Sequence, residues 1–164
     1  MSNINIVLAG IISLSPRQAC AIESAALLNP SYNIFVLYAS QVGYRNTTPL
    51  PLIEALKTYP NVHLNYLNIT RYAEQTPLAK WIRSGILYKS KYVNSHTSDV
   101  LRYLSLWKYG GTYLDLDVVM LKSLDDQNPK NYAGAESKNF VAVGIINLEG
   151  ETGHAIADMC VKDL

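Results

Sequence analysis

SDVLRYLSLWKYGGTYLDLD, residues 98–117, sets an amphipathic helix against a strand across a pair of glycines. From Val100 to Tyr109 the apolar residues recur at helical spacing, with Thr97 or Ser98 as the expected N-cap. Gly110 falls where a glycine ends a helix in a left-handed conformation. Asp99 and Arg102 are three apart, so they share one face of the expected first turn. Beyond the glycines, Thr112 to Met120 alternates, placing Leu114, Leu116 and Val118 on one face and Tyr113, Asp115 and Asp117 on the other. Two carboxylates at i and i+2 of a strand lie about 6.5 to 7 Å apart along the chain, close enough to share one cation and its waters. Hard divalent cations choose carboxylate oxygens, and an acid beside a guanidinium offers both acceptors and donors to sugar hydroxyls. Taken singly, an Asp99–Arg102 helix pair or two acids on a strand are more often plain surface features. Together, across one turn, they point to a metal-dependent site for a sugar nucleotide.

Outward from this stretch, apolar runs alternate with helical patterns, as in an α/β domain. Strands are expected at Ile4 to Ile12, Ile34 to Tyr38, Val62 to Leu67, Thr112 to Met120 and Phe140 to Leu148. Helices are expected at Pro16 to Leu28, Leu52 to Thr58, Pro77 to Leu87, Ser98 to Tyr109 and Thr152 to Val161. Pro16 suits a first helical turn and Asn29-Pro30 a stop. No repeat, low-complexity segment or linker divides the chain, so residues 1–164 read as one domain.

Composition narrows the function classes. With 49% hydrophobic and 16% charged residues, the chain is neither a disordered tail nor a highly charged module. A net charge of +1 without a Lys/Arg cluster gives no reason to expect nucleic acid, so anion binding has to come from a local metal site. The apolar run Ile4 to Leu14 is shorter than the roughly 20 residues of a membrane span and has no basic residue ahead of it, so it reads as a core strand. Asn46-Thr47-Thr48 and Asn68-Ile69-Thr70 are glycosylation sequons. Cys20 and Cys160 read by default as buried free thiols, with a lumenal disulfide left open by the sequence.

Other residues with reactive side chains are read more plainly. His63, His96 and His154 are scattered, without metal-ligand spacing, and His96 reads as a loop histidine with a local hydrogen bond. Trp81 and Trp107 are candidate sugar-stacking platforms, Trp107 being the more core-like. Glu23, on an alanine-rich helix, is expected to satisfy a buried polar group nearby, and Ser98 suits a cap better than a nucleophile. A dinucleotide oxidoreductase is excluded because Ala9-Gly10-Ile11-Ile12 follows the first strand in place of G-x-G-x-x-G. A haloacid-type phosphatase carries its D-x-D after the first strand, whereas here the acids come late.

The segment SHTSDVLRYLSLWKYGGTYLDLDVVMLKSL, residues 95–124, resembles the DXD region of the eukaryotic α1,4-glycosyltransferases. RQACAIESAALLNP at 17–30, TPLAKW at 76–81 and GHAIADMCVKDL at 153–164 agree with it in order, so the similarity runs from Arg17 to the last residue. The resemblance implies a GT-A type, Rossmann-like α/β fold and retaining transfer of a hexose, galactose or N-acetylhexosamine, in α1,4 linkage. It implies a UDP-sugar donor, a glycolipid or glycan acceptor and Mn²⁺ as cofactor. In residues, it implies metal and diphosphate binding by Asp115 and Asp117 and donor-sugar contact by Asp99 and Arg102. Tyr113 is a nucleotide-binding candidate whose role stays open between nucleotide contact and packing. A Golgi lumen or membrane setting follows from the same resemblance. Two departures stand out. Family members continue past the position of Leu164 into a W-G-H-x-G-P type motif, so the chain is expected to be the donor-binding portion of a catalytic domain, with an inactive binding or partner protein as the alternative. In VAVGIINLEG, relatives often show Asn-Gly where Val143-Gly144 stands.

Overall fold

Short β-branched and aromatic runs separated by amphipathic helices have one economical arrangement, a largely parallel sheet with a helix on each crossover. The computed structural model, which describes residues 3–9, 14–39, 50–127, 130–150 and 152–164, has this form. In chain order it contains β1 (Asn3–Ala9), α1 (Pro16–Leu28), β2 (Asn33–Ala39), α2 (Leu50–Lys57), β3 (Val62–Tyr66), α3 (Ile69–Tyr72) and α4 (Ala79–Arg83). A 3₁₀ turn at Ile86–Lys89 precedes α5 (Val93–Tyr109), β4 (Gly111–Leu114), β5 (Tyr132–Ala135), β6 (Val141–Leu148) and α6 (Ala155–Asp163). The sheet order is β3-β2-β1-β4-β6-β5. The first four of these strands are parallel, and β6 runs antiparallel to both β4 and β5. The end of the expected first strand, Gly10 to Ile12, and the sequon at Asn46 lie outside the described residues.

Each sheet face buries its own core. Ile4, Ile6, Ile34, Val36 and Leu114 pack with Ile22, Ala25 and Ala26 of α1. Tyr113, Ile146 and Leu148 pack on the opposite face with Leu101 and Leu104 of α5 and Ala157 and Val161 of α6. A fully buried Leu or Ile contributes about 1.5–3 kcal/mol, so these two layers dominate the stability. Helix α1 starts in a capping box of Ser15 and Gln18, with Pro16 in the first turn. It stops at Asn29, whose buried amide donates to Ala25 O at 2.9 Å and accepts from Leu124 N at 2.8 Å. Among the described residues no helix is long and apolar enough to cross a membrane.

Several expectations need correction. Helix α5 begins at Val93, not Ser98, because Ser90 Oγ accepts the Tyr92 amide at 2.9 Å and shares a hydrogen bond with His96 Nδ1 at 2.8 Å, fixing a polar first turn that carries no apolar pattern. Ser98 is therefore inside the helix, and Asp99 and Arg102 lie beyond its first turn. Strand β4 ends at Leu114, since its pairing with β6 stops at Leu114–Ile145 and the chain then turns, with Val118 N bonded to Asp115 O at 3.1 Å. Asp115 thus opens a turn that has Asp117 inside it, and the two do not share a strand face. The helix expected over Pro77 to Leu87 breaks at Gly85 (φ 75°), and α3 and β5 lie where neither helix nor strand was expected. Cys20 is exposed, because α1 buries the side carrying Ala19, Ala21, Ile22, Ala25 and Ala26, and Cys160 is half-buried, so neither is the buried thiol expected.

Candidate active site

In an open parallel sheet, ligands settle beyond the carboxyl ends of the strands where the strand order reverses. Here β1 lies between β2 and β4, so the reversal is at β1/β4, and Asp115 directly follows the carboxyl end of β4. Gly110 and Gly111 make the preceding corner. Gly110 has φ 60° and ψ −154°, so its φ is positive as expected but its ψ is not that of a left-handed helical residue. Gly111 has φ 81°, and a Cβ there would stand 2.4 Å from the Asn3 carbonyl oxygen. This corner lays α5 across β1 and β4, over the end that carries Asp115.

The spacing of Asp99 and Arg102 then meets its partners. Arg102 Nη1 donates to Asp99 Oδ1 at 2.7 Å, and Nη2 donates to Asp115 Oδ1 at 3.2 Å. The Arg102 side chain is 7% exposed, against 42% for Asp99 and 30% for Asp115. Its guanidinium also lies 4.9 Å from the centre of the Tyr113 ring. Burial opposes the guanidinium charge, but Tyr113, Asp115 and Asp99 outweigh it, and its pKa is raised. Arg102 is a fixed cation joining a helix acid to the first acid of the turn.

Tyr113 is fully buried. Its ring packs in the α5-side core, and its hydroxyl donates to Asp115 Oδ1 at 2.6 Å with Ser98 Oγ at 3.4 Å. Burial raises the phenol's pKa although Arg102 pulls the other way, so it remains a protonated donor. The Asp115 amide is held by Gly144 O at 2.8 Å. Asp117 is exposed, and its carboxylate makes no hydrogen bond or ion pair among the described residues.

The structure therefore gathers Asp99, Arg102, Tyr113 and Asp115 into one connected group, with Asp117 two residues on. Three carboxylates against one guanidinium leave two net negative charges, which suits a divalent cation. Among the described residues no three His, Cys, Asp or Glu side chains are gathered for a metal. The protein's share would be the two hard carboxylates of Asp115 and Asp117, with phosphate and water oxygens completing the shell, as Mg²⁺-type sites do. The donor set fits such an ion.

The remaining candidates lie elsewhere. His63 stacks on Phe35 with ring centres 5.1 Å apart, His154 caps α6, and the exposed His96 pairs with Ser90. Trp107 packs against the core with its ring N–H on Asp158 at 3.0 Å, and Trp81 is half-buried in the same layer. Glu23 accepts a hydrogen bond from Tyr59, a half-buried phenol and not the buried polar group expected. A close approach was not legible in the pattern. A Cβ on Gly144 would lie 3.3 Å from Asp115 Oδ2, and the only sequence sign was a glycine inside an apolar strand.

A family model described as a glycosyltransferase sugar-binding region containing a DXD motif matches residues 15–134. The chain belongs to this DXD glycosyltransferase family. Lactosylceramide 4-alpha-galactosyltransferase of Rattus norvegicus is 35% identical over 147 residues, covering 88% of this chain and 39% of the relative. The Homo sapiens protein of the same name is 33% identical over 145 residues, covering 88% and 40%. Alpha-1,4-N-acetylglucosaminyltransferase of Homo sapiens is 29% identical over 136 residues, covering 77% and 37%. The chain spans about two fifths of the length of these curated relatives. Among solved structures, PaToxG glycosyltransferase superposes with TM-score 0.71 at 21% identity, covering 96% of this chain and 57% of that one. A bacterial N-acetylglucosamine transferase, NleB, gives 0.54 at 15% identity, covering 97% and 77%. The architecture is the α/β GT-A type, and the matched residues include the D-x-D triplet Asp115-Leu116-Asp117.

Proposed function

We propose that this chain carries the donor site of a metal-dependent hexosyltransferase that takes its sugar from a UDP-sugar. The observation that carries the reading is the Arg102 bridge, which ties Asp99 of α5 to Asp115 of the DXD turn at the sheet's switch point. Asp115 and Asp117 would hold the cation, Mn²⁺ in this reading, against the donor diphosphate. When bound, that ion supplies positive charge to the departing diphosphate. Asp99, the most exposed partner of Arg102, offers its carboxylate to hydroxyls of the donor sugar, and Arg102 keeps it in place. Arg102 spends one N–H of each terminal nitrogen on the two acids and keeps further donors, so it fixes those acids and is also a candidate contact for the donor sugar. The half-buried cleft gives these charges a lower dielectric than water and strengthens their hold on a charged donor.

The names of the relatives support galactose or N-acetylglucosamine as the transferred sugar, a glycolipid or glycan as acceptor and an α1,4 linkage, with retention implied by the family resemblance. A Golgi setting belongs to the same reading. Calorimetric titration of UDP into the purified chain, with and without Mn²⁺ and repeated on Asp117→Asn, tests it. Binding that requires Mn²⁺ and is lost in the variant is the expected result. A folded wild-type chain that binds no UDP in either condition would sink the donor-site reading and favour a binding or partner role.

A further inference from the structure

Asp115 has two carboxylate oxygens, and the structure treats them differently. Oδ1 accepts the Tyr113 hydroxyl at 2.6 Å and Arg102 Nη2 at 3.2 Å. A carboxylate oxygen has about two lone-pair sites, so these donors fill it. Both donors are themselves immobilised, Tyr113 by complete burial in the core and Arg102 by its second bond to Asp99. Oδ2 has no hydrogen-bond partner among the described residues. Facing it is Gly144 in β6, where a Cβ would come within 3.3 Å of Oδ2 and 3.7 Å of Val118 Cγ2.

Gly144 does not have a positive φ, so its backbone would accept alanine. A glycine inside a strand is less favourable than alanine. The conformation does not call for that cost, but the space in front of Oδ2 does. The Tyr113 hydroxyl admits a similar argument, since phenylalanine would fill the same core volume without a buried polar atom to satisfy.

We infer that Tyr113 and Gly144 are positioning residues that make Asp115 a one-oxygen metal ligand, Tyr113 closing Oδ1 to the cation and Gly144 keeping Oδ2 open. The inference rests on the metal role proposed above for Asp115. It places Tyr113 beneath the metal ligand and not against the nucleotide.

The test is a Mn²⁺ titration followed by electron paramagnetic resonance, in the presence of UDP, on wild type, Tyr113→Phe, Gly144→Ala and Asp117→Asn, with thermal melts as a fold check. Partners that orient a metal ligand typically change affinity 10- to 100-fold, so each positioning variant is expected to bind Mn²⁺ about tenfold more weakly. In Tyr113→Phe the spectrum of bound Mn²⁺ should also change, because the freed Oδ1 can join the coordination shell. Wild-type affinity and spectrum in both variants, alongside loss in Asp117→Asn, would overturn the positioning role and leave the donor site standing. Absence of Mn²⁺ binding in the wild type would remove both. If Tyr113→Phe melts far below wild type, Gly144→Ala decides alone, with a tenfold loss supporting the inference and unchanged affinity overturning it.

Discussion

Arg102 joins two acids that come from different elements, and its planar fork is what lets one side chain reach both. Nη1 and Nη2 each have their own carboxylate, at 2.7 and 3.2 Å, while the plane rests near the Tyr113 ring. A lysine at this position keeps the charge but offers a single ammonium that cannot bond both acids in this geometry. Arg102→Lys is therefore expected to destabilise the fold by about 2 kcal/mol, the size of one lost hydrogen bond between charged groups. It should also weaken Mn²⁺-dependent UDP binding, because Asp99 and Asp115 lose their fixed separation. Urea denaturation checks the first effect and calorimetry the second. An unchanged denaturation midpoint would mean that the tie is solvent-screened and not structural.

The corner between α5 and β4 decides where the site stands. Gly110 and Gly111 both take positive φ, and a side chain on Gly111 would collide with the Asn3 backbone of the neighbouring strand. No rotamer relieves a clash between a Cβ and a fixed carbonyl oxygen. Gly111→Ala is expected to cost about 2–3 kcal/mol from the strained backbone conformation, plus whatever shift of β1 relieves the contact. Gly85, also at positive φ but with open space around it, should lose less on substitution by alanine. Thermal melts of the two variants side by side test the ranking, and a Gly85→Ala variant as damaged as Gly111→Ala would contradict it. The same comparison separates two uses of glycine here, conformation alone at Gly85 and conformation with close approach at Gly111.

Across the whole molecule the tyrosines matter as a set. The pKa values of Tyr32, Tyr72, Tyr103, Tyr113 and Tyr132 are raised, burial being the largest cause, and that of Tyr59 is raised chiefly by its hydrogen bond to Glu23. A phenol whose folded pKa lies above its unfolded value of about 10 stabilises the fold fully below that value and loses the contribution as pH rises through the folded pKa. Stability should therefore be flat in these groups up to about pH 10 and fall steeply above it, with unfolding and tyrosinate absorbance rising together. A melting temperature unchanged between pH 9 and pH 11 would refute this. By itself the sequence determined the α/β class, the span of α1, the end of α5 at its glycines and the pairing of Asp99 with Arg102, because capping, periodicity and i,i+3 spacing are local properties. It also marked Asp115 and Asp117 as acids near that helix. The structure begins α5 five residues early, its first turn held by the local bonds of Ser90 and lacking the apolar repeat that marks the rest of the helix. It alone ended β4 at Leu114, where β6 pairing stops, turning an expected strand face into a turn with one anchored and one exposed acid. The burial of Tyr113 and the approach of Gly144 to Asp115 depend on strands that are neighbours in the sheet and distant in the chain, and no local pattern encodes that contact.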